Sequence, residues 1–123
     1  MTLRLLVVDD SALIRQRLLE MLEGIAGIET RASAATLDEA LLCARRDLST
    51  FVLLDLNFPE GNALSIIPTL KRLPSTPQIA VLTNDARAST RRQCLQAGAD
   101  WFFDKSTEFQ IAIELVRTQA ALH

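Results

Sequence analysis

The chain has 123 residues, 49% of them hydrophobic and 23% charged. That matches one compact domain of about 100–150 residues and excludes both a disordered tail and a multidomain array. Thirteen basic against fifteen acidic residues give a formal charge of −2, without a basic block that could track a phosphate backbone, so direct DNA binding is not expected.

Short, bulky apolar runs alternate with segments of helical period along the whole chain, the pattern of strands alternating with helices. Residues 5–8 form the first run, which is too short for a signal peptide or a membrane span and stops at Asp9-Asp10. Ile14, Leu18, Met21, Leu22 and Ile25 then share one helical face, closed by Gly24. A weak polar strand over 28–32 precedes Thr36 and Glu39, which are spaced as a capping box. A second helix follows with Leu37, Ala40, Leu41, Ala44 and Leu48 on one stripe. Residues 51–54 are apolar at every position, as in a central strand of a parallel sheet covered on both faces, and the run ends at Asp55.

Pro59 and Gly61 mark a loop. Pro68 is tolerated only in the first turn of the third helix, which ends near Pro74. Residues 79–82 are the fourth strand, ending at Thr83. Residues 86–97 form a helix whose thin apolar stripe is chiefly Cys94, Leu95 and Ala97, with Arg87, Arg91 and Arg92 on a solvated face. Trp101-Phe102-Phe103 is the last strand. Thr107 with Gln110 is placed to cap a final helix carrying Phe109, Ala112, Ile113, Val116 and Ala120. Five strands and five helices in one small domain imply an α/β fold with an open parallel sheet. With the polar second strand at an edge, the doubly wound order 2-1-3-4-5 follows, and ligands bind beyond the carboxyl ends of strands one and three.

That topology gathers the polar residues at one sheet edge. Asp9 and Asp10 end strand one, Asp55 ends strand three, Thr83 ends strand four and Lys105 follows strand five. Two unit charges about 4 Å apart interact with about 4 kcal/mol at an effective dielectric near 20, so converging carboxylates require compensation. A hard cation such as Mg²⁺ accepts a few carboxylates and keeps room for a phosphoryl oxygen, and Lys105 adds a second positive charge. A carboxylate beside a metal ion, an ammonium and a hydroxyl can form an aspartyl phosphate. The only histidine is His123, which leaves no histidine triad or histidine-rich metal site. Cys43 and Cys94 have no partner at ligand spacing and read as core residues in a reducing cytoplasm.

The segments Val7-Val8-Asp9-Asp10-Ser11, Leu53-Leu54-Asp55-Leu56-Asn57-Phe58-Pro59, Val81-Leu82-Thr83 and Phe103-Asp104-Lys105 occur in order, each at a strand end. In them the chain resembles the receiver domain of two-component response regulators over residues 1–123, in the single-domain form of the chemotaxis regulator and with its flavodoxin-like (βα)5 fold. The resemblance implies a stand-alone cytoplasmic switch rather than a metabolic enzyme. By the same resemblance, Asp55 is expected to accept a phosphoryl group from a histidine kinase or phosphotransfer protein. It also implies Asp10 as a direct Mg²⁺ ligand, Asp9 as one acting largely through water, and the backbone carbonyl of Asn57 as the last of the set. Thr83 and Lys105 are expected, on that resemblance, to hold the phosphoryl oxygens. The resemblance further implies that Thr83 and Phe102 carry the switch to a protein-binding face made by the fourth helix, fifth strand and fifth helix.

Four departures from the family pattern stand out. Phe102 lacks a tyrosine hydroxyl. Ser106 stands where the family usually has a proline after a cis bond. Gly61 comes earlier than the family's frequent Asp-Gly pair. Asn57 and Asp85 occupy the positions that tune hydrolytic water, and their polarity implies appreciable self-dephosphorylation. The alternatives are a Mg²⁺-dependent phosphohydrolase with an aspartyl intermediate, which would want a second acid where Asn57 stands, and a phosphate shuttle or sink without output. A flavin carrier fits poorly, because the loop after strand one has two aspartates where phosphate binding wants backbone NH groups.

Overall fold

A computed structural model describes residues 2–122. In chain order the elements are β1 (Leu3–Val8), α1 (Ala12–Leu22), β2 (Ile28–Ala34), α2 (Leu37–Arg46) and β3 (Phe51–Leu54). A small hairpin of β4 (Asn57–Phe58) and β5 (Gly61–Asn62) follows, then a 3₁₀ turn (Ala63–Ile66) and α3 (Ile67–Lys71). The chain closes with β6 (Gln78–Thr83), α4 (Ala88–Ala97), β7 (Trp101–Asp104) and α5 (Phe109–Leu122).

Five strands pair in parallel in the order β2-β1-β3-β6-β7. This is the expected 2-1-3-4-5 arrangement, with the hairpin lying outside the sheet. Alternation along each strand sends side chains to opposite faces. Leu6, Val8, Val52, Leu54, Ile79 and Val81 pack in one core with Ala40 and Ala44 of α2, Ile67 and Leu70 of α3, and Cys94 of α4. Leu5, Val7, Phe51, Leu53, Ala80 and Leu82 pack in the other with Leu18 and Leu22 of α1 and Ala112, Ile113 and Val116 of α5. Both cysteines are buried, and desolvation, with the nearby charge of Asp85, raises the Cys94 thiol to about 11. No helix among the described residues is long and apolar enough to cross a membrane.

Several local expectations are corrected. The second strand continues to Ala34, because parallel pairing with β1 carries it past its apolar residues. The second helix ends at Arg46, so Leu48 leaves the stripe in a left-handed conformation and is 53% exposed, while Cys43 takes a buried place. The fourth helix starts at Ala88 rather than 86, after an extended Arg87. Its buried residues are Thr90 and Cys94, and Leu95 is exposed. Thr36 caps α2 by accepting from the Glu39 N–H at 3.1 Å, as expected. The entry to α5 is held by Asp104 and Glu108 instead of the Thr107–Gln110 box.

Candidate functional site

The carboxyl ends of β1 and β3 lie side by side because these strands are hydrogen-bonded neighbours, with Val8 opposite Leu54. The Asp9 N–H donates to the Ala34 carbonyl at 3.1 Å and the Asp55 N–H to the Val8 carbonyl at 2.9 Å, extending the sheet pattern by one residue into the site. One carboxylate oxygen from each of Asp9, Asp10 and Asp55 lies within 4.8 Å of the others. Asp9 and Asp55 are buried and Asp10 is exposed. Such a set, two anchored carboxylates and one facing solvent, suits a hard cation that keeps part of its water shell.

Lys105 provides the compensating charge within the chain. Its Nζ donates to Asp9 Oδ2 at 2.7 Å and lies 3.5 Å from Asp55 Oδ2, with 12% of its side chain exposed. Asp9 also accepts from the Ser11 N–H at 2.9 Å, and its carbonyl accepts from Arg15 at 2.7 Å. Asp55 accepts the Leu56 N–H at 2.8 Å. Its carboxyl is nevertheless pushed up from the usual range. Burial is the main cause and the neighbouring Asp9 charge adds to it, while Lys105 opposes both. Three carboxylates thus face the single ammonium of Lys105, a local excess of negative charge that is the electrostatic condition for a divalent cation.

Thr83 is fully buried at the end of β6, and its Oγ1 accepts from the Asp85 N–H at 3.1 Å. Its carbonyl accepts the Lys105 N–H at 2.8 Å, which ties the two elements together. Asn57 lies exposed on β4, two residues beyond Asp55. Phe102 is buried on β7 with the Arg91 guanidinium 6.0 Å from its ring centre, while Arg91 itself stays on the exposed face expected for it. The peptide bond between Lys105 and Ser106 is trans.

Two features escaped sequence reasoning. Arg15 braces the turn behind Asp9, with no signal beyond its place one helical turn after Ser11. Asp104 organises the loop that carries Lys105, and here the Asp-x-Ser spacing was a signal: Asp104 Oδ1 accepts the Ser106 N–H at 2.9 Å and the Ser106 hydroxyl at 2.7 Å. Those bonds hold the Asp104 carboxyl below the usual range.

The sequence matches the response regulator receiver domain over residues 5–117. It is 38% identical over 103 residues to a protein-glutamate methylesterase/protein-glutamine glutaminase of Xanthomonas oryzae, covering 83% of this chain and 29% of the relative. It is 31% identical over 117 residues to the nitrate/nitrite response regulator NarP of Escherichia coli, covering 95% of this chain and 54% of that protein. The chain thus spans about a third to a half of the length of these relatives. Among solved structures it resembles a response regulator of Burkholderia pseudomallei with a phosphorylated aspartic acid and a calcium ion, at TM-score 0.80 and 29% identity, covering 97% of this chain and 69% of that one. A CheY-like receiver domain of Methanospirillum hungatei shares the fold at TM-score 0.84 and 22% identity, covering 98% and 95%. The chain belongs to the response regulator receiver domain family.

Proposed function

We propose that this receiver domain accepts a phosphoryl group on Asp55 from a histidine kinase or phosphotransfer protein, in a Mg²⁺-dependent reaction, and relays that change to a protein partner. The observation that carries this reading is the meeting of Asp9, Asp10 and Asp55 with Lys105 at one sheet edge. The phosphorylated aspartate in the Burkholderia relative adds support from a similar chain. Asp9, Asp10 and Asp55, with the Asn57 backbone carbonyl, would hold Mg²⁺. When bound, the ion neutralises charge on the transferring group.

The chain's own residues perform the remaining tasks. An Asp55 oxygen forms the bond to phosphorus as the bond from phosphorus to the donor's imidazole nitrogen or acyl oxygen breaks, and the electron pair departs with the donor. Lys105 then lies close enough to pair with a phosphoryl oxygen, and the Thr83 hydroxyl turns from Asp85 to donate to another. The donor approaches over a cleft of about 410 Å³ beside Lys105, lined by Ile14, Arg17, Met21, Phe109 and Gln110. Output passes through the face of α4, β7 and α5, where Phe102 transmits the movement of Thr83. The protein acts in the cytoplasm as a switch that modifies only itself.

Incubation with Mg²⁺ and acetyl phosphate, followed by intact mass, tests this reading. The wild type is expected to gain one phosphoryl group, whereas Asp55→Asn gains none. Equal uptake by both proteins would overturn the assignment of Asp55. Turnover of free phosphomonoesters would favour the phosphohydrolase.

A further inference from the structure

We infer that Asp104 is a positioning residue for phosphoryl uptake, tying the loop that aims Lys105 into the acidic pocket; this rests on the reading of Asp55 as acceptor. A lysine reaches its target through four flexible carbons, so its ammonium is aimed only as well as its backbone is fixed. Lys105 follows an edge strand and precedes Ser106, with no proline ring to stiffen the turn.

Asp104 supplies the stiffness through both its side chain and its backbone. Its carboxylate accepts the two Ser106 bonds, at 2.9 and 2.7 Å. Its N–H donates to Glu108 Oε1 at 2.9 Å, and its carbonyl accepts the Glu108 N–H at 2.7 Å and the Thr107 N–H at 3.3 Å. These bonds enclose Lys105 in a short knot between β7 and α5. The Lys105 N–H, donating to the Thr83 carbonyl at 2.8 Å, fixes the other side. Within that frame the ammonium meets Asp9 and Asp55 together. Asp104 itself is absent from both ion pairs, so its part is orientation rather than contact with the reacting atoms.

Three measurements on the full chain test this assignment: the rate of phosphorylation by acetyl phosphate at saturating Mg²⁺, the Mg²⁺ affinity by calorimetry, and proton exchange at the Lys105 ammonium by NMR. Asp104→Ala is expected to react about tenfold more slowly, since a misplacement of about 1 Å can cost up to about 100-fold. Its Lys105 protons should exchange faster, while its Mg²⁺ affinity stays equal or rises because Lys105 competes for Asp9. Asp104→Asn keeps an acceptor for Ser106 and is expected within about threefold of wild type, the effect of one weakened hydrogen bond. An Asp104→Ala protein with wild-type rate and exchange would overturn the inference, as would parallel loss of rate and Mg²⁺ affinity, which marks general loosening. If wild type took up no phosphoryl group, the acceptor reading would fail, and the ammonium exchange would still decide the role of Asp104.

Discussion

Asn57 and Asp85 lie two residues beyond Asp55 and Thr83, yet the structure gives them different freedom. The Asp85 carboxylate accepts two bonds from the Arg87 guanidinium, each at 2.8 Å, and one from the Thr90 hydroxyl at 3.0 Å. The Arg87 contact, foremost among these bonds, holds its carboxyl well below the usual range. Asn57 lies exposed on the hairpin. Of the two polar side chains expected to admit hydrolytic water, Asn57 is the available one. Asn57→Ala is therefore expected to lengthen the phosphoprotein half-life several-fold, and Asp85→Ala to change it little, measured by intact mass after donor removal. Asp55, its two acidic companions and Lys105 were legible as residues because each interrupts or follows an apolar run. The restraint on Asp85 was not, because a guanidinium two residues away can point equally well to solvent.

At the scale of elements, side chains from neighbouring elements finish what local propensity leaves open. Helix α1 has no basic residue in its last turn. Arg31, from β2, fills that need by donating to the Leu22 and Ile25 carbonyls, both at 3.1 Å. It satisfies orphan acceptors and places a cation at the negative end of the helix dipole. Arg31→Ala is expected to lower stability by about 1 kcal/mol, read as a lower denaturant midpoint at unchanged slope. At the opposite edge of the sheet, Arg91 donates to the Phe102 carbonyl at 3.4 Å and covers both the ring and an otherwise open strand edge. The helices themselves were legible from their periods, but these arginines were not. A long side chain at an exposed position satisfies the helical pattern whether it faces water or reaches a neighbour.

For the molecule as a whole, the site opposes the fold that builds it. Both cores and the whole β1–β3 ladder bring Asp9 and Asp55 together, and burial lifts the Asp55 carboxyl against its ionisation. A group whose pKa is higher in the folded state gives its full contribution to stability below the unfolded value of about 3.9 and loses it as pH rises through the folded value. In metal-free buffer at neutral pH, Asp55→Asn is thus expected to melt a few degrees above wild type, with the gap closing as pH falls towards the acid range. Millimolar Mg²⁺ should close it at neutral pH, because an ion that binds only the folded wild type raises its stability by mass action. Melting curves of both proteins across pH, with and without Mg²⁺, check the sign at each point.

The sequence by itself determined the alternation of strands and helices, the sheet order and the meeting of Asp9, Asp10, Asp55 and Lys105 at one sheet edge, with Thr83 at the end of β6. Apolar period and run length are local properties, and a parallel sheet with right-handed crossovers leaves few ways to arrange five such units. Only the tertiary structure decided where Leu48 and Leu95 would face, how Asp104 and Glu108 replace the expected Thr107–Gln110 cap, and which carboxylate Lys105 would hold more closely. Those outcomes depend on distances between groups far apart along the chain. Electrostatic and hydrogen-bond energies change steeply over an ångström, a scale that residue spacing does not specify.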